Sequence, residues 1–382
     1  MNCELMTTKE LIMLPGPVNV DHNVLLAMGT AMFNHRGPKF FRLYAEVKEK
    51  LRKLLNTKGE VYFITGSGTA GNEFAAANLV SPHEKVVVCS NGFFAERLCD
   101  TYKLIGAQVV EVRSEWGKGI NLSELKEKVE GASLVALVFN ETSTGVLNQV
   151  RNVAEIAHKA GALCVVDNVS GIGNAYEMDP WGIDVTVIAT QKGIAAPPGM
   201  AFVAFSEKAR EKALKTPKRS LYFNLEWYEK SAKENSTPAT PAISIVYALN
   251  KALDLIFDEG IEKFVKRHYL NAEALRRGVE ALGLKLFAEK ELASNTVTAI
   301  ALDGKAKDVV KTMDEKFGVV VAPGMGAYRD NMIRIGHMGR VDEKDIISTL
   351  SALELSLKIN GLLKRPLGSG VNAALEFYAQ NS

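Results

Sequence analysis

The chain has 382 residues, 47% of them hydrophobic and 24% charged, with a formal net charge of +2 at pH 7. That length buries enough core for two domains, and the balanced charge gives no electrostatic reason to expect nucleic acid or an anionic membrane as partner. The four cysteines (Cys3, Cys89, Cys99, Cys164) form no C-x-x-C pair and no metal-ligand spacing with the six histidines; with no bilayer-length apolar run and no signal-like start, this predicts a cytoplasmic protein without a metal site.

Along the chain, short β-rich apolar runs alternate with helical patterns. Strands are expected over 61–64, 85–89, 107–112, 134–139, 162–166, 184–189 and 201–205, and helices over 71–79, 96–105, 122–129 and 153–160. This alternation predicts an α/β fold whose parallel central sheet is covered by helices. Sites in such sheets form at the carboxyl ends of strands. The basic stretch Lys215-Thr216-Pro217-Lys218-Arg219 reads as a solvated loop.

Beyond residue 240 the pattern changes. Helices over 242–257 and 261–282 flank the turn Asp258-Glu259-Gly260. Strand 296–302, helix 307–317, strands 319–321 and 332–335, and helix 343–358 follow. The expected division is an N-terminal arm over 1–20, a large domain over 21–240 and a small C-terminal α/β domain over 241–382, with a glycine-hinged helix in its tail.

Polar motifs fall at the predicted strand ends. Gly66-Ser67-Gly68-Thr69-Ala70-Gly71 joins a strand to a helix, and glycines at a helix N-terminus let backbone N–H groups approach an anion. It lacks the Walker lysine and, although it reads G-x-G-x-x-G, the spacing from that motif to a ribose-binding acid. Asn91-Gly92-Phe93-Phe94 puts aromatics where a flat cofactor can stack, the competing reading being core packing. Asn140-Glu141-Thr142-Ser143-Thr144-Gly145 clusters polar groups, either for a ligand or as a capped turn.

Run 162–166 ends in Asp167, and run 184–189 leads to Lys192 in the small-residue turn Thr190-Gln191-Lys192-Gly193. An acid and a lysine at two strand ends are what pyridoxal 5′-phosphate (PLP) asks of a protein. The lysine forms a Schiff base with the aldehyde, and the acid keeps the pyridine nitrogen protonated. Arg334, flanked by apolar neighbours, is costly to bury without an anion. Its guanidinium fork suits a substrate carboxylate, with a structural salt bridge as the alternative.

Together, from Leu14-Pro15-Gly16-Pro17 to Arg334-Ile335-Gly336-His337-Met338-Gly339, these motifs resemble the class V, fold type I PLP-dependent aminotransferases, nearest the alanine–glyoxylate and serine–pyruvate group. The resemblance implies Lys192 as the Schiff-base lysine, Asp167 on the pyridine nitrogen and Phe94 on the ring face. It places Ser67, Gly68, Thr69 and Gln191 around the phosphate, Ser143 near the cofactor and Arg334 on the substrate carboxylate. Ser236-Thr237-Pro238-Ala239-Thr240-Pro241 resembles the loop that reaches a partner subunit's phosphate, with Thr240 favoured over Thr237; this implies a homodimer with shared sites.

The implied activity is ping-pong transfer of an amino group from alanine or serine to glyoxylate or pyruvate. An aspartate aminotransferase using Arg36 (the alternative for Arg36 being an ion pair) and a related PLP lyase are the alternatives. Desulfurases of the class carry a ring-stacking histidine and a late catalytic cysteine, and this chain has neither.

Overall fold

The computed structural model describes residues 10–381; Cys3 and the start of the expected N-terminal arm lie outside the described residues. Strands β1 (Glu60–Thr65), β2 (Lys85–Ser90), β3 (Gln108–Arg113), β4 (Leu134–Val138), β5 (Leu163–Asp167), β6 (Val185–Ala189) and β7 (Met200–Phe205) form a seven-stranded sheet in the order β1-β7-β6-β5-β4-β2-β3. From β3 to β6 the pairing is parallel throughout. β7 is antiparallel to both of its neighbours, β1 and β6. The segment between β6 and β7 is shorter than a parallel crossover needs, so the chain turns back beside the strand it has just left.

Alternation along the strands builds two cores. Val61, Phe63, Val135 and Leu137 enter one face, while Tyr62, Ile64, Leu134 and Ala136 enter the other. That period of two is what a sheet covered on both faces requires. Helix α1 (Pro38–Leu55), which the sequence reading left unassigned, covers the first face with Phe40, Tyr44, Val47, Leu51 and Leu55. Proline in its first turn and Asn56 in the left-handed region at its end (φ 49°) set its limits.

Helices α2 (Gly68–Leu79) and α3 (Phe93–Leu104) each start three residues earlier than the sequence pattern predicts. The early start places Ser67 and Phe94 at helix N-termini beside the strand ends.

The long helices α4 (Ile243–Glu259) and α5 (Ile261–Ala281) are separated at Gly260, whose φ of +87° suits glycine. Apolar side chains from Ile243 to Phe264 belong to the core of the large sheet, and those from Ala274 onward to that of a second sheet. This sheet is four-stranded and antiparallel, from β8 (Lys285–Leu286), β9 (Val297–Ala301), β10 (Ala322–Pro323) and β11 (Met332–Gly336). Helix α6 (Glu343–Ile359), with a capping box at Asp342 and Asp345, and α7 (Ser369–Asn381) pack around it.

The N-terminal segment bridges the two sheets' elements. Leu11–Ile12 pairs in parallel with Val319–Val320, and Gly336 N donates to Met13 O at 2.7 Å. Residues 14–17 are thereby carried toward the end of β6.

Candidate active site

A cleft opens at the carboxyl ends of β1, β2, β4, β5 and β6. Ser67, Gly68, Thr69, Phe94, Asn140, Thr142, Asp167, Gln191 and Lys192 line it. The strand directions alone put these residues together, since each follows the end of a strand pointing the same way.

Ser67 is the N-cap of α2, and its hydroxyl makes no capping hydrogen bond. Helix geometry leaves the first amides of α2 without intrahelical acceptors, a favourable place for an anion. Gly68 has to be glycine because a Cβ there would lie 2.5 Å from Val169 Cγ2.

Asp167 ends β5 and is 6% exposed. Asn72 Nδ2 donates to its Oδ2 at 2.6 Å and Val169 N to its Oδ1 at 2.9 Å. Burial pushes the carboxyl above its usual range. The Val169 and Asn72 hydrogen bonds and the charges of Arg97 and Lys192 pull the other way.

Lys192 follows β6, and its amine donates to Pro15 O. A Cβ on Gly16 would fall 2.3 Å from Lys192 Cδ, and Gly16 has φ +86°. The Leu14-Pro15-Gly16-Pro17 turn therefore closes over the lysine stem as no bulkier residue would allow. Burial, then the charge of Arg334, lowers the amine to about 8, so a fair share is neutral at physiological pH.

Arg334, on β11, is 8% exposed, with Nε donating to Pro323 O at 2.9 Å and Nη1 to Thr142 O at 3.2 Å. Among the described residues no carboxylate pairs with it within 4.0 Å, so the salt-bridge reading has no support. Burial lowers its guanidinium to about 10, and Glu141 opposes the shift.

Other expected residues lie differently. The Ser143 hydroxyl does not line the cleft: it donates to Glu141 Oε1 at 2.6 Å and accepts from Phe93 N at 3.0 Å. Its neighbour Thr142 faces the cleft instead, bonded to Ser170 Oγ at 2.6 Å. Thr240 is exposed and is not part of this chain's cleft, while Thr237 is buried with its hydroxyl on Ala239 O. Among the described residues Arg36 makes neither an ion pair nor a cleft contact. Its guanidinium donates to Thr237 O at 2.6 Å and Pro238 O at 2.7 Å, bracing the loop that carries Thr240.

Sequence reasoning missed Asn72, Val169, Ser170, Arg97 and the organising part of Glu141. Glu141 is fully buried, and its carboxylate accepts from Ala95 N at 3.0 Å and Ser143 N at 3.0 Å as well as the Ser143 hydroxyl. It caps α3 from another element, which is why that helix begins at Phe93.

The cleft suits PLP. Gln191 Oε1 and Asn140 Oδ1 are buried without partners, a state that polar groups leave when a ligand arrives. Turned over, the Gln191 amide presents Nε2 to a phosphate. The donor set is a helix N-terminus with hydroxyls, an aromatic, an acid and a lysine.

Among known proteins, a family model described as aminotransferase class-V matches residues 22–341. The L-aspartate–glyoxylate aminotransferase of Paracoccus denitrificans is 34% identical, over 99% of this chain and 98% of that protein. The serine–glyoxylate aminotransferase of Arabidopsis thaliana is 34% identical, over 95% and 94%. The crystal structure of the ureidoglycine–glyoxylate aminotransferase of Bacillus subtilis superimposes with a TM-score of 0.91 at 31% identity, covering 98% of this chain and 100% of that one.

Proposed function

The chain belongs to the class-V aminotransferases, PLP-dependent enzymes of fold type I, and from that membership we propose that it moves an amino group from serine or alanine to glyoxylate or pyruvate in two half-reactions. Relatives named for different donors share glyoxylate as acceptor, which supports glyoxylate here. The observation that carries the choice of donor is Arg36: its guanidinium is engaged by the carbonyls of Thr237 and Pro238. It is thus not available to the distal carboxylate of aspartate.

When bound, the cofactor supplies an aldehyde that takes up the amino group and a ring that accepts electrons from the substrate's α-carbon. The protein's residues do the rest. Arg334 fixes the substrate α-carboxylate, its fork suited to two parallel hydrogen bonds. Lys192 Nζ, lowered to about 8, removes the α-proton while neutral and returns a proton once charged. Asp167, whose carboxyl accepts from Asn72 and Val169, would hold a proton on the pyridine nitrogen. Phe94 would pack on the ring, and Ser67, Gly68, Thr69 and Gln191 would hold the phosphate. Ser143 contributes through Glu141, by fixing the turn that places Thr142.

The same reading makes the enzyme a homodimer in which the exposed Thr240 completes the partner's phosphate site. Leu25, Leu26 and Met32, 48%, 60% and 67% exposed, form apolar surface for such a contact. The buried free thiols Cys89, Cys99 and Cys164 suit a cytoplasmic setting. No helix among the described residues is long and apolar enough to cross a membrane.

Titrating the purified holoenzyme with L-serine, L-alanine and L-aspartate, while following the cofactor's visible absorbance, tests the proposal. Serine or alanine is expected to bleach the band at the lowest concentration. Aspartate acting first would overturn the neutral-donor assignment, and a band that none of them bleaches would turn the reading toward a lyase.

A further inference from the structure

Arg97 stands one helical turn beyond Phe94 on α3, with its guanidinium carbon 4.8 Å from the centre of the Phe94 ring. The side chain lines the cleft beside Ser67, Gly68 and Thr69. Among the described residues its guanidinium has no ion-pair or hydrogen-bond partner and rests on that aromatic face. Facing a cleft, an unpaired cation marks where an anion binds.

The phosphate of the cofactor is the anion that most needs it. At neutral pH it brings between one and two negative charges into a partly enclosed site. The groups at hand, Ser67, Gly68, Thr69 and Gln191, are neutral, and the N-terminus of α2 offers about half an elementary charge. Lys192 is engaged at the aldehyde.

Location separates Arg97 from Arg334. The charge of Arg97 is felt at both Asp167 and Lys192, and Arg334 bears on Lys192 as the largest charge there. Arg334 therefore marks the substrate end of the cleft. Arg97 lines the cleft with Ser67, Gly68 and Thr69, the residues that would surround the phosphate.

Resting on the site proposed above, we infer that Arg97 is the cationic member of the phosphate site, turning from the Phe94 ring to pair with the cofactor phosphate. Its exposed, unpaired side chain is free to make that turn, and helix α3 keeps its reach fixed. Among the described cleft-lining residues, that leaves no further arginine for the distal carboxylate of a dicarboxylate donor.

The test compares PLP with pyridoxal, which lacks the phosphate, by absorbance titration of full-length enzyme freed of cofactor. Arg97→Met is expected to weaken PLP about tenfold to a hundredfold, the range of a charge-assisted contact, and to leave pyridoxal unchanged. Arg97→Lys, which keeps the charge without the fork, is expected to fall between. Equal losses for both ligands would overturn the inference and place Arg97 with the stacking ring. Unchanged PLP affinity alongside a raised KM for aspartate would overturn it in favour of a substrate contact. Wild-type enzyme that binds neither ligand would overturn the site itself, an outcome distinct from a wild type and variant that bind PLP equally well.

Discussion

Asn72 Nδ2 donates to Asp167 Oδ2 at 2.6 Å, joining helix α2 to the end of β5. The same helix presents Ser67 at its N-terminus, so one rigid element carries both the proposed phosphate donors and the partner of the acid. Asp167 needs that partner, because burial pushes its carboxyl toward the neutral form.

Asn72→Ala removes a hydrogen bond to a charged group, about 1.5–3 kcal/mol. The Asp167 carboxyl then rises further. Since the ionised form serves the reaction, the acid limb of the kcat/KM profile moves to higher pH, and kcat at neutral pH falls about tenfold to a hundredfold. A pH-rate titration of variant and wild type checks this, and an unmoved acid limb would detach Asp167 from the observed titration.

Arg334 acts on two readouts at once. Arg334→Gln removes the fork for the substrate carboxylate, so KM for the donor rises about tenfold to a hundredfold. It also removes the charge that, after burial, most lowers the Lys192 amine. The limb on which activity rises as Lys192 becomes neutral therefore moves to higher pH, short of the value of a free lysine because burial remains. PLP affinity stays as in wild type. Lys192→Ala, by contrast, keeps the fold and loses turnover, and near-normal rates in that variant would sink the role given to this lysine.

Much of this was legible locally. Short β-rich apolar runs marked the strands, and the acid and lysine at two strand ends pointed to the cofactor. What stayed hidden depends on contacts across the chain. Ser143 and Thr142 are adjacent polar residues with equal claims in sequence, and only the buried Glu141 carboxylate decides which one turns away. Arg97 looks like any solvated arginine until α3 starts at Phe93 and the two side chains share a helix face. The reversed direction of β7 leaves the apolar pattern of its strand unchanged, so only the short connection from β6 could have signalled it.

Arg36 offers a test that separates bracing from substrate contact. Arg36→Ala removes the donors to Thr237 O and Pro238 O, loosening the loop that carries Thr240. In the proposed dimer, PLP is expected to dissociate several-fold faster, while the ratio of KM values for aspartate and serine stays constant. A selective rise in KM for aspartate would place Arg36 at the substrate side chain instead.

Two fully buried histidines, His268 on α5 and His337 just after β11, lie beside the small sheet. His268 Nδ1 lies 2.7 Å from Phe264 O, and its Nε2 accepts from Gly339 N at 3.0 Å. With an N–H facing it, Nε2 has no room for a proton, so the neutral ring is the bonded form. Burial, then the charge of Arg267, lowers His268 to about 4, against the weaker pull of Glu259. His337, between Asn295 O and Thr298 Oγ1, is lowered to about 3 by burial and then by Arg276 and His268. Unfolded histidines take up protons below about 6.5. Between there and the folded values the unfolded chain binds more protons, so stability rises with pH in that window and is lost as pH falls through it. The slope is about 1.4 kcal/mol per pH unit for each histidine. Denaturant unfolding of wild type from pH 7 down to 4.5 is expected to show that decline. His268→Gln should start less stable and decline less steeply. Equal slopes for the two proteins would mean that His268 takes up its proton without unfolding, and that the Gly339 amide does not hold it neutral.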